Sequence, residues 1–290
     1  MPGWYRAPKG RTRAQASELL IEVEISGTGD GARLADSVRV AGFERVQIRA
    51  EFSSLGPAEI VDEIARLSAE GITVSAMSIS VNSLACNAPA DGHASGEQFE
   101  DLLTLVGELD EAGRPMLVIP SGWRPPAGTG SEGHDPAERG QAQRVLAAWI
   151  RKATRASIEL AVEPDRRHVL QSPLAAERFV ETHGGRKAGL ALAPGKLLDP
   201  GEELAPALLA LLLRLAPISC LLYIESGRSW PDDERIGAMI DTPLLARGLR
   251  APGVPRRVTL RGAPPREWGR AREEVLEGFE ALGVPLIGGG

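Results

Sequence analysis

Residues 45–80 read RVQIRAEFSSLGPAEIVDEIARLSAEGITVSAMSIS, a strand-type run, a helix-type segment and a second strand-type run in succession. The first part, 45–52, is a short run carrying Val46 and Ile48, of the kind that forms a strand. Over 57–70 the period changes: Ile60, Ile64 and Leu67 fall on one face of a helix, with charged residues between them. Gly71 alone separates that helix from a second apolar run at 72–80. A strand, a covering helix and another largely apolar strand suit two parallel strands that bury a face against helices.

The same unit recurs along the chain. Strands are expected at 19–26, 45–52, 72–80, 115–120, 158–163, 189–193, 218–225 and 258–261. Helices are expected at 32–41, 57–70, 96–112, 136–154, 173–182, 202–215, 242–249 and 265–282. In the fourth helix Ala142, Val145, Leu146, Trp149 and Ile150 lie on one stripe; in the last, Trp268, Val275, Phe279 and Leu282 do. Eight strand–helix units favour closure over an open sheet, so the fold class is α/β, a single (β/α)8 TIM barrel. The length of 290 residues suits one such barrel, which typically runs to ~250. Residues 1–17 read as a flexible N-terminal arm and 18–290 as the barrel. Residues 1–13 are basic without an apolar core, unlike a secretory signal.

Loops that enter strands are short: 42–44, 71 and 216–217. Loops that leave strands three, four and seven are long: 81–95, 121–135 and 226–241. In this architecture the leaving loops build the active-site face. They carry Trp123, Trp230, His93, His134, Arg124 and Arg228, and read as lids over a pocket or as surface insertions.

Composition sets the outer bounds. The chain is 43% hydrophobic and 25% charged with a net charge of −6, which disfavours non-specific nucleic-acid binding. The richest apolar run, 208–215, is short and broken by Arg214, so no membrane span is expected. The two cysteines, Cys86 and Cys220, do not make a disulfide scaffold, and a reducing cytoplasm is the expected setting.

Several segments resemble the xylose-isomerase-like, sugar phosphate isomerase/epimerase barrels. Ala41-Gly42-Phe43-Glu44-Arg45-Val46-Gln47 resembles the family's opening into strand two. Ile158-Glu159-Leu160-Ala161-Val162-Glu163-Pro164 resembles its fifth strand, which ends in Glu. Ala188-Gly189-Leu190-Ala191-Leu192-Ala193-Pro194-Gly195-Lys196, Ile218-Ser219-Cys220-Leu221-Leu222-Tyr223-Ile224-Glu225 and Val258-Thr259-Leu260-Arg261 stand where its sixth, seventh and eighth strands would. The family holds one divalent ion with Glu, Asp, His and Glu from strands five to eight. The resemblance puts Glu163, Ala193, Leu222 and Arg261 at those places, so one oxygen ligand remains and no metal or other cofactor is expected. The strand-two Glu of the family is Gln47 here, and the His of the sixth-strand motif is Lys196.

The replacements suggest a site of another kind. A guanidinium from Arg261 takes the ion's place beside Glu163, or the pair plugs the old cavity. Lys196, partly desolvated near Arg261, would have a lowered pKa and serve as a base, or else stand exposed in its loop. Glu225 follows strand seven as an acid/base or as part of an ion pair. Arg228 lies six residues after Leu222, where some ketose epimerases bind substrate. The expected acid/base set is Glu163, Lys196 and Glu225; Arg228, Arg261, Gln47, Ser121 and Trp123 are expected to bind substrate.

The activity implied is isomerisation, epimerisation, elimination or cyclisation by proton transfer, without metal, on a small carbonyl- or hydroxyl-bearing metabolite. Two alternatives stand beside it. One is a non-catalytic barrel that binds a ligand or partner protein. The other is metal chemistry with ligands relocated to His93, His134 or His168. The resemblance also implies a homodimer. Arg166-Arg167-His168 is an anion-binding run or a solvated loop. Gly27-Thr28-Gly29-Asp30-Gly31 lacks the spacing of a dinucleotide loop.

Overall fold

The computed structural model describes residues 20–26, 31–50, 57–79, 96–107, 109, 115–122, 136–184, 188–198, 204–225 and 257–280. The strands are β1 (Leu20–Ser26), β2 (Arg45–Ala50), β3 (Thr73–Ile79), β4 (Met116–Pro120), β5 (Glu159–Glu163), β6 (Ala188–Leu192), β7 (Ser219–Glu225) and β8 (Arg257–Arg261). They form one closed parallel barrel in chain order, with β8 paired back onto β1.

The described helices are α1 (Gly31–Val40), α2 (Pro57–Ala69), α3 (Gly96–Gly107), α4 (Pro136–Arg155), α5 (Pro173–His183), α6 (Leu204–Leu215) and α7 (Trp268–Glu280). The expected helix at 242–249 lies outside the described residues, as does the N-terminal arm. So do Cys86, His93, Trp123, Arg124, His134, Arg228 and Trp230.

Two of the short entering loops rest on glycine. After α1 and α2 the chain reverses through Gly42 (φ 77°) and Gly71 (φ 78°), in the left-handed region that a Cβ disfavours. The next backbone N–H then reaches back over the helix end, Phe43 to Val38 and Ile72 to Leu67. This satisfies carbonyls that the helix leaves orphaned. At the start of α5, Ser172 Oγ accepts from Ala175 N, and Pro173 follows.

The apolar residues divide into two cores. The larger lies between sheet and helices and includes Val46, Ile48, Leu67, Phe99, Trp149, Leu222, Leu260 and Phe279. The smaller fills the barrel itself with Ala76, Met116, Val118, Ala161, Ala191, Ala193, Leu221 and Tyr223. Its share from β5 and from the end of β6 is alanine only. Those small side chains leave room for the bulk of Tyr223 and Arg261 entering from β7 and β8.

Candidate active site at the C-terminal end of the barrel

Side chains alternate along a strand, so every second residue of a barrel strand points inward. In β8, Val258 and Leu260 join the outer core, while Thr259 and Arg261 reach inward partners. In β7, Leu222 and Ile224 face the helices, and Leu221 and Tyr223 face the interior. This corrects the alignment of strand seven. Leu222 does not occupy a metal-ligand place, because it packs outward opposite Val258. Glu225 is the β7 residue paired with Arg261 in the register, and Tyr223 is paired with Thr259.

Arg261 is the centre of the site. Its Nη1 donates to Glu163 Oε1 at 2.6 Å, and Nη2 donates to Glu24 Oε1 at 3.2 Å. Nε lies 3.0 Å from Glu24 Oε2, an ion pair without hydrogen-bond alignment. Glu225 Oε1 is 3.7 Å from Nη1. The flat of the guanidinium covers the Tyr223 ring, with Cζ 3.3 Å from the ring centroid, a cation–π contact.

Lys196 enters from the 3₁₀ turn Pro194–Lys196 that ends β6. Its Nζ lies 2.6 Å from the same Glu163 oxygen that Arg261 binds. One carboxylate oxygen therefore holds two cations.

Burial sets the electrostatics. On its own, burial would raise the pKa of Glu163; the charges of Arg261 and Lys196 and their hydrogen bonds reverse it and hold the group at about 2. Burial likewise opposes the charge on Arg261, and the carboxylates of Glu163, Glu24 and Glu225 overcome it and strengthen the cation. Burial, with Glu24 and Glu163, pushes the Tyr223 phenol well above its usual value, so it stays neutral.

A second tier supports this centre. Gln47 Nε2 donates to Tyr223 Oη at 2.6 Å and to Glu24 Oε1 at 3.2 Å. Thr259 Oγ1 donates to Gln47 Oε1, and Ser78 Oγ donates to Glu24 Oε1. Gln47 thus orients groups that touch Arg261. Ser121 is fully buried, and its Oγ accepts from Leu170 N, which ties the loop after β5 to the end of β4.

The loop after β5 crosses this face. Asp165 takes both a backbone N–H and the guanidinium of Arg167, and burial's upward push on its pKa is outweighed by those bonds. Arg166 donates to Leu198 O. Both arginines are thereby engaged within the protein, which counts against the anion-binding reading of this run. His168 lies in the same loop. Burial, with the nearby charges of Lys196 and Arg167, lowers its pKa to about 4 against the pull of Asp165 and Glu163.

The structure therefore brings Glu163, Lys196, Glu225, Arg261 and Gln47 together; Arg228 and Trp123 lie outside the described residues. Reading the sequence missed Glu24, Tyr223, Ser78 and Thr259. A signal for Glu24 is present in β1, LIEVEIS, where carboxylates alternate with Ile and Val.

A divalent ion does not fit the described donors. Glu24, Glu163 and Glu225 are already engaged with the guanidinium of Arg261. Among the described residues no group of three or more His, Cys, Asp or Glu is arranged to hold a metal. His168 brings no partner ligand with it.

No family model and no curated protein sequence matches the chain. Solved structures do. A xylose isomerase-like TIM-barrel protein from Mycobacterium smegmatis, in complex with magnesium, aligns at TM-score 0.63 and 17% identity over 87% of this chain and 89% of that one. An L-ribulose 3-epimerase aligns at TM-score 0.66 and 18% identity over 90% of this chain and 95% of its own. A probable 3-DHS dehydratase from Bacillus anthracis aligns at TM-score 0.62 and 11% identity over 88% and 98%. These likenesses show the fold, a (β/α)8 barrel of the kind those proteins share. Among the described residues no helix is long and apolar enough to cross a membrane.

Proposed function

We propose that this barrel is a metal-independent proton-transfer enzyme, of isomerase or epimerase type, acting on a small carbonyl-bearing polyol. The observation that carries the reading is the pair of 2.6 Å contacts from Arg261 and Lys196 to one oxygen of Glu163, at the strand ends where barrels of this fold place their chemistry. Sugar epimerases and a probable dehydratase share the fold.

The roles divide by electrostatics. A carboxylate held at about 2 is a weak base near neutrality, so Glu163 positions Lys196 rather than removing a proton. Glu225 takes the proton from the carbon next to the carbonyl. The C–H electron pair moves toward the carbonyl oxygen, and the Lys196 ammonium stabilises the oxygen's developing charge. Return of a proton to carbon completes the exchange. Arg261 supplies the fixed positive charge that keeps Glu163 ionised and holds Glu24 in place.

A second reading, a barrel that binds a ligand without turning it over, has its own support. Every nitrogen of Arg261 lies within 3.2 Å of a carboxylate oxygen, so the charge of the guanidinium is already matched by the protein's own acids.

The test is deuterium exchange from D₂O into the carbon next to the carbonyl of D-fructose, D-tagatose, D-allulose and L-ribulose, with chelator present. Exchange into at least one ketose is expected, and Lys196→Ala should slow it by roughly 10²–10⁴-fold. Exchange that needs added Mn²⁺ or Mg²⁺ would defeat the proposal, and so would its absence throughout. Saturable binding without exchange would establish the second reading.

A further inference from the structure

Charge is unevenly placed on the outside of this barrel. The chain carries a net charge of −6, yet α4 holds five cations, Arg139, Arg144, Arg151, Lys152 and Arg155, against one acid, Glu138. Lys152 is paired with Glu100 on α3. Arg144, Arg151 and Arg155 are exposed, and among the described residues none of them forms a hydrogen bond or an ion pair. At about 3.6 residues per turn the three fall within roughly 40° of one another around the helix, and they span roughly 16 Å along it. The opposite face, with Ala142, Leu146, Trp149 and Ala153, is buried. The arginines therefore form one outward stripe.

Helix α7 carries the reverse charge. Its buried residues are Trp268, Val275 and Phe279. Arg270 is paired with Glu274 at 3.5 Å, and the Arg272 guanidinium lies over the Phe43 ring. Glu273, Glu277 and Glu280 are left, all exposed and likewise without a hydrogen bond or ion pair among the described residues. They fall within roughly 60° of one another. Like charges four residues apart destabilise a helix, and both stripes contain such a pair, Arg151 with Arg155 and Glu273 with Glu277.

Strand order around the closed barrel is chain order, so α4, which follows β4, stands across the barrel from α7, which follows β8. The two stripes cannot meet within one copy, but they match between copies. Arg144 and Arg151 are seven residues apart, and so are Glu273 and Glu280. Both pairs meet when α4 of one copy lies beside α7 of another, running in the same direction.

We infer that copies of this chain associate in rows, the arginine stripe of α4 docking on the glutamate stripe of α7 in the next copy. The contact joins two different faces, so any two copies leave one face of each kind uncovered and the row stays open. This differs from the homodimer that the resemblance implies, and it is independent of the proton-transfer reading. Exposed ion pairs are weak and screened by salt, so the rows form at low ionic strength and high protein concentration.

The experiment is analytical ultracentrifugation of the full chain at about 10 mM and about 0.3 M NaCl. At the lower salt the weight-average mass should climb with concentration beyond that of two copies. At the higher salt it should return to that of one. Replacing Arg144, Arg151 and Arg155 together by Gln should hold the protein at one copy in both salts, and so should replacing Glu273, Glu277 and Glu280 together by Gln. All six positions are exposed, so circular dichroism should show both variants folded. Mixed in equal amounts at low salt, the two variants should form pairs and stop there, because each keeps the one face that the other needs.

A parent that stays at one copy in low salt overturns the proposal, as does association that survives the higher salt. Either triple variant assembling like the parent overturns it, and so does a mixture that fails to pair or that grows past two copies. Capture of heparin by the arginine stripe, with no association of the parent, would make a polyanion the partner instead.

Discussion

Replacing Arg261 by methionine removes the one group that neutralises several carboxylates at once. Methionine keeps much of the length and leaves the Tyr223 ring covered. Arg261 and its partners are nearly dry: the side chains of Arg261, Glu163, Glu24 and Glu225 are 10%, 10%, 5% and 8% exposed. Breaking a buried pair by removing one partner costs about 3–5 kcal/mol, because a bare charge stays behind. For a chain of 290 residues that corresponds to a fall of roughly 5–8 °C in Tm.

The carboxylates left behind are not equivalent. Glu163 keeps Lys196 at 2.6 Å, whereas Glu24 keeps only the neutral donors Gln47 and Ser78. Adding Glu24→Gln to Arg261→Met should therefore restore more stability than adding Glu163→Gln. The coupling in each cycle should be about 1–3 kcal/mol. Without the guanidinium, the upward push of burial on the pKa of Glu163 is less opposed, so the deficit should shrink as pH falls from 7 to 5. Urea unfolding at pH 5, 6 and 7 measures all of this. A loss below about 1 kcal/mol, or a loss that does not change with pH, would refute the picture of a guanidinium holding buried acids.

The remaining expectations follow from the same cluster. Acid should unfold the protein in two windows. His168, lowered to about 4 from an ordinary 6.5, contributes stability that is present above pH 6.5 and lost as pH falls toward 4. Glu163, lowered to about 2 from 4.5, contributes stability that is lost between pH 4.5 and 2. Each amounts to about 3 kcal/mol, and His168→Asn should remove the upper window from a pH series of urea melts. Chelator should leave the thermal melt unchanged, since no bound ion is withdrawn from the folded state; a fall of several degrees, reversed by Mg²⁺ or Mn²⁺, would contradict this. Lys196→Ala should lower Tm by a few degrees rather than leave it alone, because its amine is one of two cations on Glu163. Differential scanning calorimetry distinguishes these outcomes.

The barrel was legible in the sequence because its signals are local. A change of period at residue 57, a glycine at 71 and an apolar run after it define one unit whatever the distant chain does, and the unit recurs. Glu163, Lys196 and Arg261 were also legible, since each ends a strand or follows one, and strand ends converge in a closed barrel.

What the sequence left open was which residues stand level with each other across the barrel. A slip of one residue along β7 exchanges inside for outside. Reading Leu222 as the inward residue hides Tyr223, whose ring carries Arg261. Only the closed sheet, with β8 returning to β1, brings Glu24 within reach of Arg261 across 237 positions of chain. Sequence alone determined the eight strands, the described helices and the residues at the strand ends. Tertiary structure decided that a guanidinium sits among three carboxylates, because register and closure are properties of strands paired with each other and of no segment read alone.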